Sequence, residues 1–242
     1  MKAFILAAGL GTRLRPWTLE HPKALVPVGG TPMLERVILR LRSFGFDDIT
    51  VNVHHFASQI VDFLEAHDFG VNISISDESE SLLDTGGAIL KAASLLCDGE
   101  APFLVHNVDI LSDADLGALV GAHTACGADA TLLASDRESS RKLLFDSDMR
   151  LRAWHNIQSD EFRPARPENL EALKELAFSG IYVMSAAALR DMRRLGYEGA
   201  FSVTDYLLNS RRSADVRGYE VAGLQLIDIG KPATLSRANS LF

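Results

Sequence analysis

The sequence is poor in cysteine: its 242 residues include two, Cys97 and Cys126, too few for a disulfide framework or a structural zinc site, and both read as reduced thiols. Positive charge is not in surplus either. Lys plus Arg number 24 against 32 Asp plus Glu, a formal net charge of −8, so nothing draws the chain generally to nucleic acid or to an anionic membrane. Any anion it binds must be held by a local cluster. No run approaches the ~20 apolar residues of a membrane span. The opening Lys2-Ala3-Phe4-Ile5-Leu6-Ala7-Ala8 imitates a signal peptide but is cut short by Gly9, Gly11 and Arg13, and the expectation is a cytoplasmic protein. Repeats, low-complexity tracts and linkers are lacking. What remains, 47% hydrophobic and 23% charged residues, is the balance of an ordinary globule. At this length a single domain, 1–242, buries roughly 70–75% of its unfolded surface.

The first half alternates apolar runs with amphipathic stretches. Lys2 to Ala7, Ile49 to Val53, Val71 to Ile75 and Phe103 to Val105 read as strands. Between them, Leu34, Val37, Ile38 and Leu41 recur at helical spacing behind Thr31 as N-cap and Pro32 in the first turn. Further helices are predicted around Ile60 to Leu64, Ala88 to Leu96 and Leu116 to Val120. This alternation predicts an α/β fold: a doubly wound, mostly parallel, Rossmann-like mixed sheet with helices on both faces. After Ala134 the rhythm changes to short strands, Lys142 to Phe145 and Leu151 to Trp154, and then to a polar stretch, Gln158 to Glu171, read as a loop. An apolar strand at Ala177 to Met184, helices near Ala186 to Leu195 and Val203 to Arg211, an apolar run from Val221 to Ile227 and a closing helix at Pro232 to Leu241 complete the pattern. One domain with a small inserted subregion accounts for it.

The loop after the first strand reads Leu6-Ala7-Ala8-Gly9-Leu10-Gly11-Thr12-Arg13-Leu14-Arg15-Pro16. Glycines at the C-terminal end of a parallel strand let backbone N–H groups turn toward an anion. A dinucleotide fingerprint would need glycine where Leu14 stands, and Pro16 opposes the helix that should begin there. Lys23, set between Pro22 and the run Ala24-Leu25-Val26-Pro27-Val28, sits on stiff backbone, which aims a point charge. Arg13, Arg15 and Lys23 thus gather positive charge around one cradle. Asp109 and Asp228 each follow a buried apolar run, and such a pair suits Mg2+, which takes one or two carboxylates and fills its octahedron with phosphate oxygens and water. The alternative for each is a turn cap. His54 and His55 point to opposite faces of a strand and read as its close, Asp113 and Asp115 as helix caps, and Trp17 and Trp154 as core.

The pair of segments around Gly9, Gly11, Thr12 and Arg13 and around Pro22-Lys23-Ala24-Leu25-Val26-Pro27-Val28 resembles the signature of the sugar-1-phosphate nucleotidyltransferases, G-x-G-T/E-R followed by P-K-x-L-x-P-V. Asp84-Thr85-Gly86-Gly87 resembles that family's turn against the nucleobase, with Glu78 nearby. Asn107-Val108-Asp109 resembles its N-G-D strand end, Phe178-Ser179-Gly180-Ile181 its sugar-side strand, and Asp228-Ile229-Gly230 its late metal element. The nearest form resembles the short bacterial N-acetylmuramate-1-phosphate uridylyltransferases. The chain departs from the pattern at Val108, where glycine is usual, at Lys231, where threonine is common, and in lacking an E-K-P segment.

The resemblance implies that a sugar-1-phosphate oxygen attacks the α-phosphorus of a nucleoside triphosphate, UTP first, giving a nucleotide-sugar and pyrophosphate. It places the nucleotide at about 1–135, on Leu6, Ala7, Ala8, Gly9, Gly11, Thr12, Glu78, Thr85, Gly86, Gly87 and Asn107. The sugar falls at about 136–242, on Ser179 and Gly180, with Arg163 and Arg166 within its reach. Arg13 and Lys23 are the catalytic cations, and Asp109 and Asp228 hold magnesium. A phosphate monoester is already largely an anion at neutral pH, so no general base is required, and none of Ser-His-Asp type is found. Three alternatives stay open: a related transferase using GTP or CTP, with mannose-1-phosphate or phosphocholine as acceptor; a non-catalytic nucleotide-sugar sensor; and a dinucleotide oxidoreductase. No nucleic-acid or membrane partner is expected, and a homo-oligomer is left open.

Overall fold

The structure is a computed structural model and describes residues 1–241. The chain opens with β1 (Lys2–Leu6), and three 3-10 turns (Thr12–Leu14, Trp17–Leu19, Lys23–Leu25) carry it to the short hairpin β2 (Pro27–Val28) and β3 (Thr31–Pro32). There follow α1 (Met33–Ser43), β4 (Asp48–Val53), α2 (Ala57–Glu65), β5 (Asn72–Asp77), α3 (Asp84–Lys91), α4 (Ala93–Leu96), β6 (Phe103–Asn107), β7 (Ile110–Ser112) and α5 (Leu116–Cys126). The second half is strand-rich: β8 (Ala130–Ser135), β9 (Arg141–Phe145), β10 (Leu151–Asn156), β11 (Glu161–Arg163) and β12 (Lys174–Met184) precede α6 (Ala186–Arg194), α7 (Val203–Ser210), β13 (Val216–Glu220), β14 (Leu226–Asp228) and α8 (Pro232–Asn239).

One mixed sheet runs β11-β10-β9-β12-β6-β1-β4-β5, with β8 also on β12 and β13 beyond it. The pairs among β6, β1, β4 and β5 are parallel, as short apolar strands joined by helices require. Beyond β6 the sheet turns antiparallel through β12, β9, β10 and β11. Successive side chains point to opposite faces of a strand. Ala3 and Ile5 of β1 therefore join one hydrophobic cluster with Val37 and Ile38 of α1 and Ile60 of α2, while Phe4 joins the other, with Ile89 of α3, Leu189 of α6 and Tyr206 of α7. Leu104 and Phe103 of β6 divide in the same way. Helices thus cover both faces, as the alternation predicted.

Four local expectations are corrected. Thr31 does not cap α1; it pairs with Val28, the cap position is Pro32, and a first-turn amide, Met33 N–H, donates to the Val26 carbonyl at 3.0 Å instead. The helix expected at Ala88 to Leu96 begins at Asp84 and breaks at Ala92. The stretch from Gln158 to Glu171 is not all loop: β11 pairs with β10, Trp154 opposite Arg163, and the Phe162 ring stacks on His155 at 4.0 Å. The apolar run from Val221 to Ile227 lies mostly between strands, since β13 ends at Glu220 and β14 starts only at Leu226. The strand β14 forms a separate two-stranded ribbon with β7, in which Asp228 lies opposite Ile110. Asp113 and Gln225 bond reciprocally at the ribbon's end, Asp113 N–H to the Gln225 carbonyl at 3.1 Å and Gln225 N–H to Asp113 Oδ1 at 3.0 Å.

Candidate active site

The parallel strands β1, β4 and β6 end side by side, and a cleft of about 340 Å³ opens over their C-terminal ends. Leu6, Ala7, Ala8 and Gly9 form one wall, Asn107, Val108 and Asp109 another, and Asp84 and Thr85 a third. The first wall is shaped by a residue that the sequence reading did not single out. Asn52, 2% exposed near the end of β4, accepts the Ala7 and Ala8 amides on Oδ1 at 2.6 and 3.2 Å. Its Nδ2 donates to Glu78 Oε1 at 2.8 Å, and Glu78 Oε2 accepts the Leu83 amide at 3.1 Å. Glu78 is 1% exposed, does not line the cleft, and holds Asn52 with its carboxylate. Asn52 itself lines the cleft. A buried amide in the apolar run Ile49 to Val53 was the signal available, because such a group must be satisfied by something specific.

Gly11, at φ +60°, lets the loop fold against Lys23; a side chain there would meet Lys23 Cβ at 2.9 Å and Thr18 Cγ2 at 3.0 Å. Thr12 opens the following 3-10 turn and is exposed, outside the cleft lining. Lys23 lines the cleft and forms an ion pair with Asp109, both side chains being mostly buried, at 11% and 16% exposure. Asp228 Oδ1 accepts the Gly230 amide at 2.7 Å, and the Ile229 amide donates to the Asp109 carbonyl at 3.0 Å. Gly230 marks where these groups meet: its missing Cβ would lie 2.7 Å from Asp228 Oδ1, 2.8 Å from Arg13 Nη2 and 3.2 Å from Lys23 Nζ. Arg13, Lys23, Asp109 and Asp228 therefore converge, although 215 positions separate the first from the last (228 − 13).

A second compartment, about 300 Å³, adjoins the first and shares Asp84, Thr85 and Asn107 with it. Ser179, Gly180 and Asp228 line it, together with Arg137, Tyr182 and Thr204. Gly180 has φ +78°, and a side chain there would come within 2.6 Å of Asn107 Nδ2, so a glycine is needed where β12 passes the end of β6. Gly86 and Gly87 were expected to read a base with backbone groups. Both amides instead donate to the Phe201 carbonyl, at 2.8 and 3.3 Å, and both residues are buried in α3. Their smallness serves packing: a Cβ on Gly86 would lie 2.2 Å from the Phe201 ring, and one on Gly87 would lie 2.1 Å from the Gly199 carbonyl oxygen. Thr85 does line the cleft, and its Oγ1 accepts the Val203 amide at 2.9 Å.

The remaining features sort as follows. Val108 lines the cleft but sits 4% exposed in the core. His54 bonds the Glu78 carbonyl at 2.7 Å and His55 packs on Phe56, closing β4. Asp115 caps α5 by accepting the Ala118 amide, whereas Asp113 belongs to the β7–β14 ribbon. Arg163 lies over Trp154, 4.9 Å from the ring centroid, in a side pocket that shares Ser202 and Thr204 with the second compartment; Arg166 pairs with Asp160 away from it. Cys97 and Cys126 are free thiols. Among the described residues no helix is long and apolar enough to cross a membrane. A larger groove of about 570 Å³ between α1 and the ribbon contains none of the converging residues.

The chain is similar to known proteins along its length. The family model described as nucleotidyl transferase matches residues 2–240. A mannose-1-phosphate guanyltransferase of Yarrowia lipolytica is 30% identical over 246 residues, spanning all of this chain and 64% of its own length. An N-acetylmuramate alpha-1-phosphate uridylyltransferase of Caulobacter vibrioides is 43% identical over 126 residues, 51% of this chain and 51% of that protein. The chain thus spans less than two thirds of the length of these curated relatives. Among solved structures, a putative glucose-1-phosphate thymidylyltransferase from Bacillus anthracis superposes with a TM-score of 0.80 at 22% identity, covering 100% of this chain and 94% of that one, which shows a shared fold. With a family match running almost from end to end, the chain belongs to the nucleotidyl transferase family.

Proposed function

We propose that this protein transfers a nucleotidyl group from a nucleoside triphosphate to a sugar-1-phosphate. The observation that carries this reading is that Arg13, Lys23 and Asp228 come together at Gly230 while Lys23 also pairs with Asp109, with Lys23 and Asp109 lining one compartment and Asp228 the adjoining one. An oxygen of the acceptor's phosphate forms a bond to the α-phosphorus while the bond from that phosphorus to the bridging oxygen breaks, and pyrophosphate leaves with the electron pair. The nucleophile is already an anion at neutral pH, so the protein's work is alignment and charge compensation. Arg13, a planar fork, meets paired oxygens of the departing pyrophosphate. Lys23, held against the loop at Gly11 and lining the nucleotide-side cleft, meets the α-phosphate.

Asp109 and Asp228 suit a magnesium ion. Asp109 already accepts a cation, the Lys23 ammonium, and no third His, Cys, Asp or Glu joins them among the described residues. Such a two-carboxylate set leaves the other positions to phosphate oxygens and water. When bound, the ion supplies Lewis-acid charge to the phosphates. UTP and N-acetylmuramate-1-phosphate are supported by the 43% identity to the Caulobacter enzyme over half the chain, and GTP with mannose-1-phosphate by the 30% identity to the Yarrowia protein over the whole of this chain. Pyrophosphate release from the four nucleoside triphosphates against a panel of sugar-1-phosphates and phosphocholine separates these readings. We expect Mg2+-dependent release with one pair, and Lys23→Ala and Asp109→Ala each to lower it by roughly 100-fold or more with the fold retained. Tight nucleotide-sugar binding with no release from any pair would make the protein a sensor instead.

A further inference from the structure

The second compartment carries one cation among its lining residues, Arg137, facing two acids, Asp84 and Asp228. A phosphate dianion brought through this space is repelled by those two carboxylates, and that guanidinium is the one opposite charge lining it. Arg137 is also unusually well fixed. The register of β12 against β8 shifts between Phe178 and Tyr182, and Nη2 of Arg137 donates to the Phe178 carbonyl at 2.9 Å. From below, Lys142 Nζ donates to Arg137's own carbonyl at 2.7 Å. Nη1 makes only a long contact of 3.4 Å to the Glu138 carbonyl, and the buried Nε has no partner.

A guanidinium has five N–H donors, so most of this fork's capacity is unused. A buried donor left unpaired costs about 1–3 kcal/mol. Burial also works against the charge itself, lowering the pKa of Arg137, while the nearby Asp228 carboxylate partly restores it. Holding the Phe178 carbonyl would need only a neutral amide. A charged, half-buried, immobilised fork beside Asp228 makes physical sense as a docking point for an anion.

We infer that Arg137 binds the phosphate of the incoming sugar-1-phosphate and aims its attacking oxygen, a role that rests on the transfer reaction proposed above. The nucleotide's phosphates fall to Arg13 and Lys23 and the acceptor's to Arg137, so the two polyanions are held by different cations on either side of the carboxylate pair. The test uses the full-length protein and the nucleotide–acceptor pair giving the fastest pyrophosphate release in the panel. Arg137→Gln should raise the acceptor KM roughly 10- to 100-fold while leaving the nucleotide KM within about twofold. Arg137→Lys, which keeps the charge and loses the fork, should fall between that variant and the parent. An unchanged acceptor KM, or both KM values rising together, in a variant that melts like the parent would overturn the inference. Should Arg137→Gln fail to fold, an acceptor KM unaffected by Arg137→Lys would overturn it equally. A parent protein silent with every pair would instead remove the transfer reaction, and this role with it.

Discussion

At Gly230 a single hydrogen atom separates an assembled site from a crowded one. Replacing it by methyl in Gly230→Ala places carbon 2.7 Å from Asp228 Oδ1 and 2.8 Å from Arg13 Nη2, closer than real contacts allow, so at least one charged group must move. A displacement of that size in a site working by alignment is expected to lower kcat roughly 10- to 100-fold, with little change in the melting temperature. A kcat within twofold of the parent would show that the convergence does not matter. The nearness of Arg13, Lys23, Asp109 and Asp228 was foreshadowed in the sequence, where Asp109 and Asp228 follow strand-like runs, Lys23 follows a proline, and Arg13 closes the glycine loop after the first strand. The surroundings of Glu78 were not legible: its carboxylate meets Asn52, a contact that depends on the packing of β4 against β5. Arg137 lay in a polar stretch after β8, where nothing local signals that its guanidinium meets the Phe178 carbonyl 41 residues away.

At the scale of elements, α3 is the sharpest case. Glycine is a poor helix former, yet Gly86 and Gly87 are helical because the 199–201 segment lies against them. The sequence read them as a turn, since local propensity cannot anticipate a partner more than a hundred residues away. Gly87→Ala forces a methyl against the Gly199 backbone, which has no rotamer with which to retreat, and is expected to destabilise the protein by at least about 1–3 kcal/mol. Gly99→Ala, where a methyl meets nothing within 4 Å, serves as the control and should shift the urea midpoint little. Equal midpoints for the two variants would refute the packing account. The parallel strands and their helices were readable because burial on one face imposes a period, whereas β11 was not, having charged or partly exposed side chains at the sheet edge and Phe162 as its lone apolar residue.

For the whole molecule, acid stability should report on its most deeply buried base. His106, on β6 in the centre of the sheet, is 0% exposed, and burial pushes its pKa down to about 4. In the unfolded chain the imidazole takes up a proton near pH 6.5. Between those values the unfolded state binds protons that the folded state refuses, so stability is full above about pH 6.5 and falls until about pH 4, by on the order of 3 kcal/mol. His123, whose pKa burial also lowers, acts in the same direction. Urea unfolding at pH 7, 5 and 4 measures this slope, and His106→Phe should flatten it; an identical slope in that variant would assign the acid loss elsewhere.

The ribbon of β7 and β14 acts as a clasp. Asp109 stands just before the residue that pairs with Asp228, and the reciprocal bonds of Asp113 and Gln225 lock that register. Everything between residues 113 and 225, including the lining at Arg137, Ser179 and Thr204, lies between the halves of the clasp. That intervening stretch can therefore change in length or lining while the spacing of the two acids stays as it is.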